Sequence, residues 1–233
     1  MAAIKVPFVN RVYAFGFAVM IMAGLSQAGF AAEDGPGTRE RIMAEIEKHL
    51  TDEEARQVAM RAGRERSVLC ANCHGVDGNS LRPDIPNLAE QNSAYIIEQI
   101  GKFVDGRRKH FVMPVLARDF TFQDKVNLAV YYASQQLKPG TGNPVLAARG
   151  KSVYDKLCFV CHGADGRGQA GYALIAGQKV DYAVATLKRF RDNAAKSNEN
   201  EESKRSDLFM EQATAQLTDE EIEALAHYAA LLE

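Results

Sequence analysis

The chain has 233 residues but no tryptophan, only four cysteines and no excess of charge of one sign, because 28 basic residues stand against 30 acidic ones. Nucleic-acid-binding proteins carry strongly basic surfaces, so no nucleic-acid partner is expected. Four cysteines are too few for a disulfide-stapled scaffold of this length. No segment alternates apolar and polar residues in a sustained way, so no β-strand is predicted. The balance of 46% apolar and 25% charged residues is that of a globular protein.

The first residues have the three parts of a secretory signal peptide. Lys5 and Arg11 form a basic start, residues 12–25 are an uncharged and mostly apolar run, and small residues follow. This run of 14 residues is shorter than the roughly 20 that a membrane-spanning helix needs. We therefore predict that residues 1–31 are a signal peptide. Cleavage after Ala28 also fits the small residues, and an uncleaved anchor is the alternative.

The rest of the chain is a duplicated unit of about 90 residues. All four cysteines lie in two matching frames, CANCHG from Cys70 and CFVCHG from Cys158, which are 88 positions apart. Other words repeat at a similar offset, including PNLAEQ with ALIAGQ and LAVYYAS with LAHYAAL. The offset has grown to 97 at the last pair, so the second unit contains an insertion. We place it in the polar stretch 195–206, as a solvated loop or a frayed helix.

The repeat predicts two domains, at residues 32–136 and 144–233, joined by a linker at 137–143 that is rich in proline and glycine. Each is predicted to contain a helix with the cysteines, a glycine-rich loop, a middle helix, a second loop and a closing helix. The first domain also has the spacing of an extra leading amphipathic helix at Thr38–Leu50. We expect this helix to pack on its own domain rather than to form a partner surface.

Helix starts are marked by residues that can bind free backbone N–H groups. Thr51 with Glu54, and Thr218 with Glu221, have the spacing of capping boxes. Asn143 precedes a proline, as expected for an N-cap followed by the first helical residue.

Each cysteine frame reads Cys-x-x-Cys-His, which is the attachment sequence of haem c. On a helix these side chains share one face, so that two thiols can add to the two vinyl groups of a haem while the imidazole reaches the iron. We therefore predict two covalently attached haem c groups. The predicted attachment residues are Cys70, Cys73, His74, Cys158, Cys161 and His162.

Three other uses of the cysteines fit the sequence less well. A structural zinc site pairs two such frames that usually lie closer together. A thioredoxin-like redox pair needs a βαβ context, which is not predicted here. A disulfide between the frames suits an exported protein but leaves the two histidines without a role.

Each domain has one methionine placed to be the second axial ligand of an iron. Met113 is the only methionine between the two frames and Met210 is the only one after the second, and each stands eight residues before a threonine. A thioether ligand raises the reduction potential of a haem. The alternatives are that these methionines fill gaps in the core, or that a histidine is the ligand. His110 has no counterpart in the second unit, and His227 matches Val130 in the first.

The words CxxCHGxDGNS, PNLAxQ, FxxGRR and a closing AxYYA helix together resemble the cytochrome c4 family, over about Ala62 to Leu232. The resemblance implies an all-α fold of two tandem class I cytochrome c domains, each wrapped around one covalently bound haem c. It also implies that the carbonyl of Pro86 accepts a hydrogen bond from His74 Nδ1.

The same resemblance implies further residues of the first haem pocket. Gln91 and Tyr95 are expected to line it, and Arg108 and Arg107 to lie near the haem propionates. The second unit departs from the family in having Ala173 where a proline is expected. It also has alanines in place of the two arginines, so the two haems are expected to differ in potential.

The resulting function is electron transfer without catalysis, in the periplasm or at the surface of its membrane. The resemblance implies a quinol-oxidising complex or a dehydrogenase as donor and a terminal oxidase or a reductase as acceptor. A basic segment that includes Arg107, Arg108 and His110 is either a docking patch or a propionate clamp. The alternative function is that of a tightly bound subunit of a dehydrogenase such as flavocytochrome c sulfide dehydrogenase. A di-haem peroxidase needs an iron with an open position, and one methionine per unit leaves none.

Overall fold

The computed structural model describes residues 37–168, 171–195 and 206–233, which form helices and loops without an extended strand. The predicted signal peptide and most of the stretch 195–206 lie outside the described residues. The helices of the first half are α1 (Thr38–Thr51), α2 (Glu53–Arg66), α3 (Val68–His74), α4 (Ser93–Val104), α5 (Met113–Asp119) and α6 (Phe122–Ala133). The helices of the second half are α7 (Pro144–Leu157), α8 (Phe159–His162), α9 (Val180–Ala195), α10 (Leu208–Thr214) and α11 (Asp219–Leu231).

The two halves share a close crossing between their leading and closing helices, α2 with α6 and α7 with α11. A glycine permits the approach in each half. A Cβ added to Gly63 would lie 2.3 Å from the carbonyl oxygen of Asn127, and one added to Gly150 would lie 2.1 Å from that of Ala224. Because these distances are far below van der Waals contact, neither crossing accepts a larger residue without moving a helix. The duplication therefore extends from sequence to helix packing.

The predicted leading helix is present as α1, and it is part of the first core. Ile42 and Ile46 are 2% and 1% exposed and belong to the same hydrophobic cluster as Val126 and Val130 of α6. The prediction that this helix packs on its own half is confirmed.

The second half has a polar pair at the matching positions of its closing helix. Glu223 and His227 of α11 stand 97 positions after Val126 and Val130, and they pair with each other at 3.4 Å. Nδ1 of His227 also accepts a hydrogen bond from the backbone N–H of Asn143, the N-cap of α7, at 3.0 Å. The valines are instead fully buried in the hydrophobic cluster that includes α1, so the closing helices differ at these positions because their neighbours differ.

The expected helix caps are present with one exception. Thr218 with Glu221 forms a capping box, and the side chain of Asn143 accepts a hydrogen bond from the N–H of Val145. The prediction for Thr51 was wrong, because Thr51 is the last residue of α1 and its hydroxyl donates to the carbonyl of Glu47 at 2.9 Å. Asp52 caps α2 instead, since its backbone is extended and its carboxylate accepts from the N–H of Ala55.

The described residues of both halves belong to one compact unit. The division into domains at 32–136 and 144–233 stays a prediction, as does the linker between them. Among the described helices, none combines the length and the apolar character needed to cross a bilayer.

Candidate functional site

The helix predicted to carry the cysteines is short in each half and is separated by a break from the longer helix that precedes it. In the first half Ser67 separates α2 from α3, and its buried hydroxyl donates to the carbonyl of Arg64 at 2.8 Å. In the second half Cys158 itself lies between α7 and α8. The break gives each frame its own short turn of helix. All four thiols are free and half-buried.

Both histidines are buried and held by a backbone carbonyl of their own half. His74 is 9% exposed and its Nδ1 lies 2.9 Å from the carbonyl oxygen of Pro86, while His162 is 8% exposed and its Nδ1 lies 2.8 Å from that of Ala173. Because a carbonyl oxygen only accepts, each Nδ1 carries the proton and donates it. The hydrogen bond predicted for His74 is confirmed, and replacement of proline by alanine in the second half keeps the acceptor.

The remaining nitrogen of each imidazole is suited to a metal. Nε2 of His74 and of His162 has no hydrogen-bond partner among the described residues. Burial lowers the pKa of both rings, so the neutral imidazole that binds iron is favoured. A histidine whose second nitrogen is fixed by a carbonyl is a common arrangement in metal sites.

The chain turns sharply directly after each histidine. Gly75 and Gly163 both have φ of 80°, in the region that glycine adopts readily. A Cβ on Gly75 would lie 2.2 Å from the carbonyl oxygen of Asn79. Glycine directly after each histidine thus permits a backbone conformation that a side chain would disfavour.

The two candidate methionines lie on short helices that the sequence analysis treated as loops. Met113 begins α5 and Met210 lies in the first turn of α10, and both side chains are half-buried. Each helix lies between the middle and the closing helix of its half. Met113 also packs against the first hydrophobic cluster, so the gap-filling role and the ligand role are not mutually exclusive.

The residue three positions before each methionine binds the start of its helix. Nδ1 of His110 accepts from the backbone N–H of Met113 at 3.3 Å, and Oδ1 of Asp207 accepts from that of Met210 at 3.3 Å. His110 and Asp207 are 97 positions apart, which is the offset of the methionines themselves. The structure therefore gives His110 a capping role that the second half fills with a carboxylate.

The other predicted pocket residues are not all gathered at one place. Tyr95 is half-buried on α4, whereas Gln91 is buried and binds the backbone of Leu174 in the other half. The guanidinium of Arg108 stacks on Phe103, 4.5 Å from the ring centre, and donates to the Gln99 side chain at 2.8 Å.

Arg107 is separated from this group and faces solvent. Its side chain is 57% exposed and pairs with Asp105 at 2.6 Å. Of the two predicted propionate partners, Arg108 is thus the one held inside the protein and Arg107 the one at its surface.

Contacts between the halves are the part of the site that sequence reasoning missed. Lys102 of α4 is 7% exposed, and its ammonium lies 3.0 Å from the carboxylate of Asp207. Burial alone would raise the pKa of Asp207, but the hydrogen bond and charge of Lys102 outweigh it and the pKa is lowered. Arg167 binds Glu90 across the same boundary at 2.7 Å. In the sequence Lys102 has an acidic partner four residues earlier on its own helix, Glu98, so nothing there signalled a contact with the other half.

The alternatives to haem attachment do not match this geometry. No cysteine is in a disulfide. In the described part of the chain, no three histidine, cysteine or acidic side chains converge as a metal cluster would require. Free thiols three residues apart, followed by a buried histidine with an open Nε2, are the donor set that haem c requires.

Comparison with known proteins supports the same reading of the two halves. The cytochrome c family matches residues 147–231. Cytochrome c4 from Thiocapsa roseopersicina is 37% identical over 171 residues, which cover 69% of this chain and 85% of the relative. A thiosulfate dehydrogenase electron acceptor from Stutzerimonas stutzeri is 28% identical over 183 residues, covering 70% of this chain and 79% of the relative.

A solved structure shows that the likeness extends to the fold. The crystal structure of reduced recombinant cytochrome c4 from Pseudomonas stutzeri superposes with a TM-score of 0.66 at 30% identity, covering 75% of this chain and 98% of that one. The all-α architecture of two tandem class I cytochrome c units is thereby confirmed. The chain belongs to the cytochrome c4 family and, with it, is a di-haem electron carrier that binds two covalent haem c groups.

Proposed function

We propose that this chain shuttles single electrons between protein complexes in the periplasm and catalyses no reaction of its own. The observation that carries the proposal is the pair of buried histidines, each fixed through Nδ1 by a carbonyl and each accompanied in its half by one half-buried methionine. Two such sites in one compact unit suit electron storage and transfer, because filled axial positions leave no place for a substrate on iron.

The ligand assignment follows from which donors each half offers. Cys70 and Cys73 would hold the first haem together with His74, and Met113 would supply the second ligand to its iron. In the second half Cys158, Cys161, His162 and Met210 would have the same roles. When bound, each haem supplies an iron that gains or loses one electron, with no bond to substrate made or broken.

The remaining pocket residues position and enclose this group. Pro86 provides the carbonyl for the first histidine, and Tyr95 is the half-buried candidate on α4 for lining the first haem. Arg108, held by Gln99 and Phe103, is the stronger candidate for a propionate partner, since its position is already fixed. Arg107 pairs with Asp105 and remains exposed at the surface, where a partner protein can meet it.

The proposed donor is a quinol-oxidising complex or a dehydrogenase, and the proposed acceptor is a terminal oxidase or another reductase. The electron enters from the reduced donor and leaves to the oxidised acceptor, so the carrier returns to its starting state. The second candidate is a subunit tightly bound to a dehydrogenase of sulfur compounds. The relative named as an electron acceptor of thiosulfate dehydrogenase favours that candidate.

One experiment separates these roles. The oxidised protein is mixed with membranes of its own cells and a quinol, and haem reduction and reoxidation by oxygen are followed in the visible spectrum. We expect both, and we expect native gel filtration to show the cytochrome free of other chains. Co-elution with a flavoprotein would support the bound-subunit function. If the cytochrome neither accepted electrons from the membranes nor co-eluted with another protein, both proposed functions would be contradicted.

Docking to the donor is expected to depend on the exposed charge of Arg107. Arg107→Glu should slow reduction by the quinol-oxidising membranes several-fold, up to about tenfold, at low ionic strength, because electrostatic steering raises association rates by 10–10³. The effect should disappear near 1 M salt, where charges are screened within about 3 Å.

Lys151→Glu is the matched control for this variant. Lys151 is 58% exposed and pairs with Asp155 at 2.6 Å, which closely matches the surroundings of Arg107, but it lies on α7 of the second half. A rate lowered by Lys151→Glu and unchanged by Arg107→Glu would mean that the basic segment is not the docking patch.

A further inference from the structure

The loops that bind His74 and His162 are hydrogen-bonded to each other across the boundary between the halves. The loop 86–91 provides the carbonyl for His74, and the loop 173–178 provides the carbonyl for His162. Each loop ends in a buried glutamine, Gln91 or Gln178, and these glutamines are 87 positions apart in the repeated word.

Each glutamine binds the backbone of the opposite loop in the same way. Oε1 of Gln178 accepts from the N–H of Asn87 at 2.8 Å, and its Nε2 donates to the carbonyl of Asn87 at 3.3 Å. Oε1 of Gln91 accepts from the N–H of Leu174 at 2.8 Å, and its Nε2 donates to the carbonyl of Leu174 at 2.9 Å. The arrangement is reciprocal and buried on both sides.

The bonded N–H groups belong to the peptide groups that hold the histidines. The carbonyl of Pro86 and the N–H of Asn87 form one planar, conjugated peptide group, and so do the carbonyl of Ala173 and the N–H of Leu174. An acceptor at the N–H makes the carbonyl oxygen of the same group a stronger acceptor, because hydrogen bonds in a chain polarise one another. A single peptide group thus connects the hydrogen bond of each glutamine to the hydrogen bond of the histidine in the other half.

We infer that Gln178 is a positioning residue for the first haem and Gln91 for the second, so that each half sets the reduction potential of the other half's iron. The inference rests on the proposed ligand roles of His74 and His162. A stronger hydrogen bond at Nδ1 makes an imidazole a better donor and favours the oxidised iron. Each glutamine therefore lowers the potential of the opposite haem.

The test is a pair of variants, each of which should change the potential of the haem in the opposite half. Gln178→Leu removes the acceptor and should raise the potential of the first haem, changing its reduction equilibrium two- to tenfold, or by at most about 59 mV. The second haem should keep its potential. Gln91→Leu should do the reverse. The haems are assigned by Met113→His and Met210→His, each of which moves the potential of its own half.

A conservative variant and a matched interface variant separate positioning from packing. Gln178→Glu keeps an oxygen at the same place, so the first haem should stay at or below its original potential even if Gln178→Leu does not fold. Arg167→Gln removes the 2.7 Å ion pair with Glu90 across the same boundary. Glu90 belongs to the loop 86–91, but its side chain binds neither of the two peptide groups that hold the histidines, so both potentials should stay unchanged.

A direct reading of the hydrogen bond comes from ¹⁵N-histidine spectra of the reduced protein. The Nδ1–H resonance of His74 should shift in Gln178→Leu and that of His162 should not. Equal shifts of both haems, a shift confined to the glutamine's own half, or a rise in Gln178→Glu would overturn the inference. Failure of the ligand assignment would be distinct, because the unaltered protein would then lack the Met–Fe(III) near-infrared band.

Discussion

Replacing Met113 by histidine is expected to lower the potential of the first haem by roughly a few tenths of a volt, since axial ligands set haem potentials over a range of about 0.8 V. The change exchanges a thioether, which favours the reduced iron, for a second imidazole, which favours the oxidised iron. Spectroelectrochemical titration should show one wave displaced and the other in place, with the near-infrared Met–Fe(III) band reduced by about half, because one of the two proposed thioether ligands is lost.

The second half and a bystander methionine provide the controls. Met210→His should displace the other wave by a comparable amount. Met60 is half-buried on α2 and packs against the first core without being a candidate ligand, so Met60→Leu should leave both waves unchanged. If Met113→His moved neither wave, the methionine would be a core residue and the iron would have another ligand.

Replacing Ile46 by alanine is expected to cost about 2–4 kcal/mol of unfolding free energy, because deletion of a buried branched side chain loses both burial and packing. Ile46 is 1% exposed and shares the first hydrophobic cluster with α6. For a protein of this size each kcal/mol lowers the melting temperature by about 2–4 °C. Thermal unfolding of the haem-loaded protein measures this loss of stability.

Leu50 on the same helix is the control, since it is 42% exposed. Leu50→Ala should change stability by about 0.5 kcal/mol or less. Equally small effects of both variants would mean that α1 is a detachable segment and that the valines of α6 are buried for another reason.

The sequence predicted the elements that depend on local pattern. The cysteine frames, the capping box at Thr218 and the leading helix all follow from residue spacing, and the structure has them. The carbonyl partner of His74 followed from family resemblance, and its counterpart in the second half was found at Ala173.

The missed features depend on chain continuity or on contacts between distant residues. Thr51 had the spacing of a capping box, but α1 extends through Thr51, and it is Asp52 that has the extended backbone of a cap. The segment PNLAEQ, which ends in Gln91, was recognised as repeated, but the sequence does not indicate that the Gln91 side chain binds the other half. The mismatch of Val130 with His227 was visible in the sequence, but only the structure shows that Val130 packs in the cluster with α1 while His227 binds the backbone of Asn143.

The intact mass of the exported, purified protein tests the central claim most directly. It should equal the chain processed after residue 31, or after Ala28, plus two haems, and the added mass should survive denaturation because thioether bonds to Cys70, Cys73, Cys158 and Cys161 hold it. A mass that showed one haem or none, or haem lost on denaturation, would contradict the account.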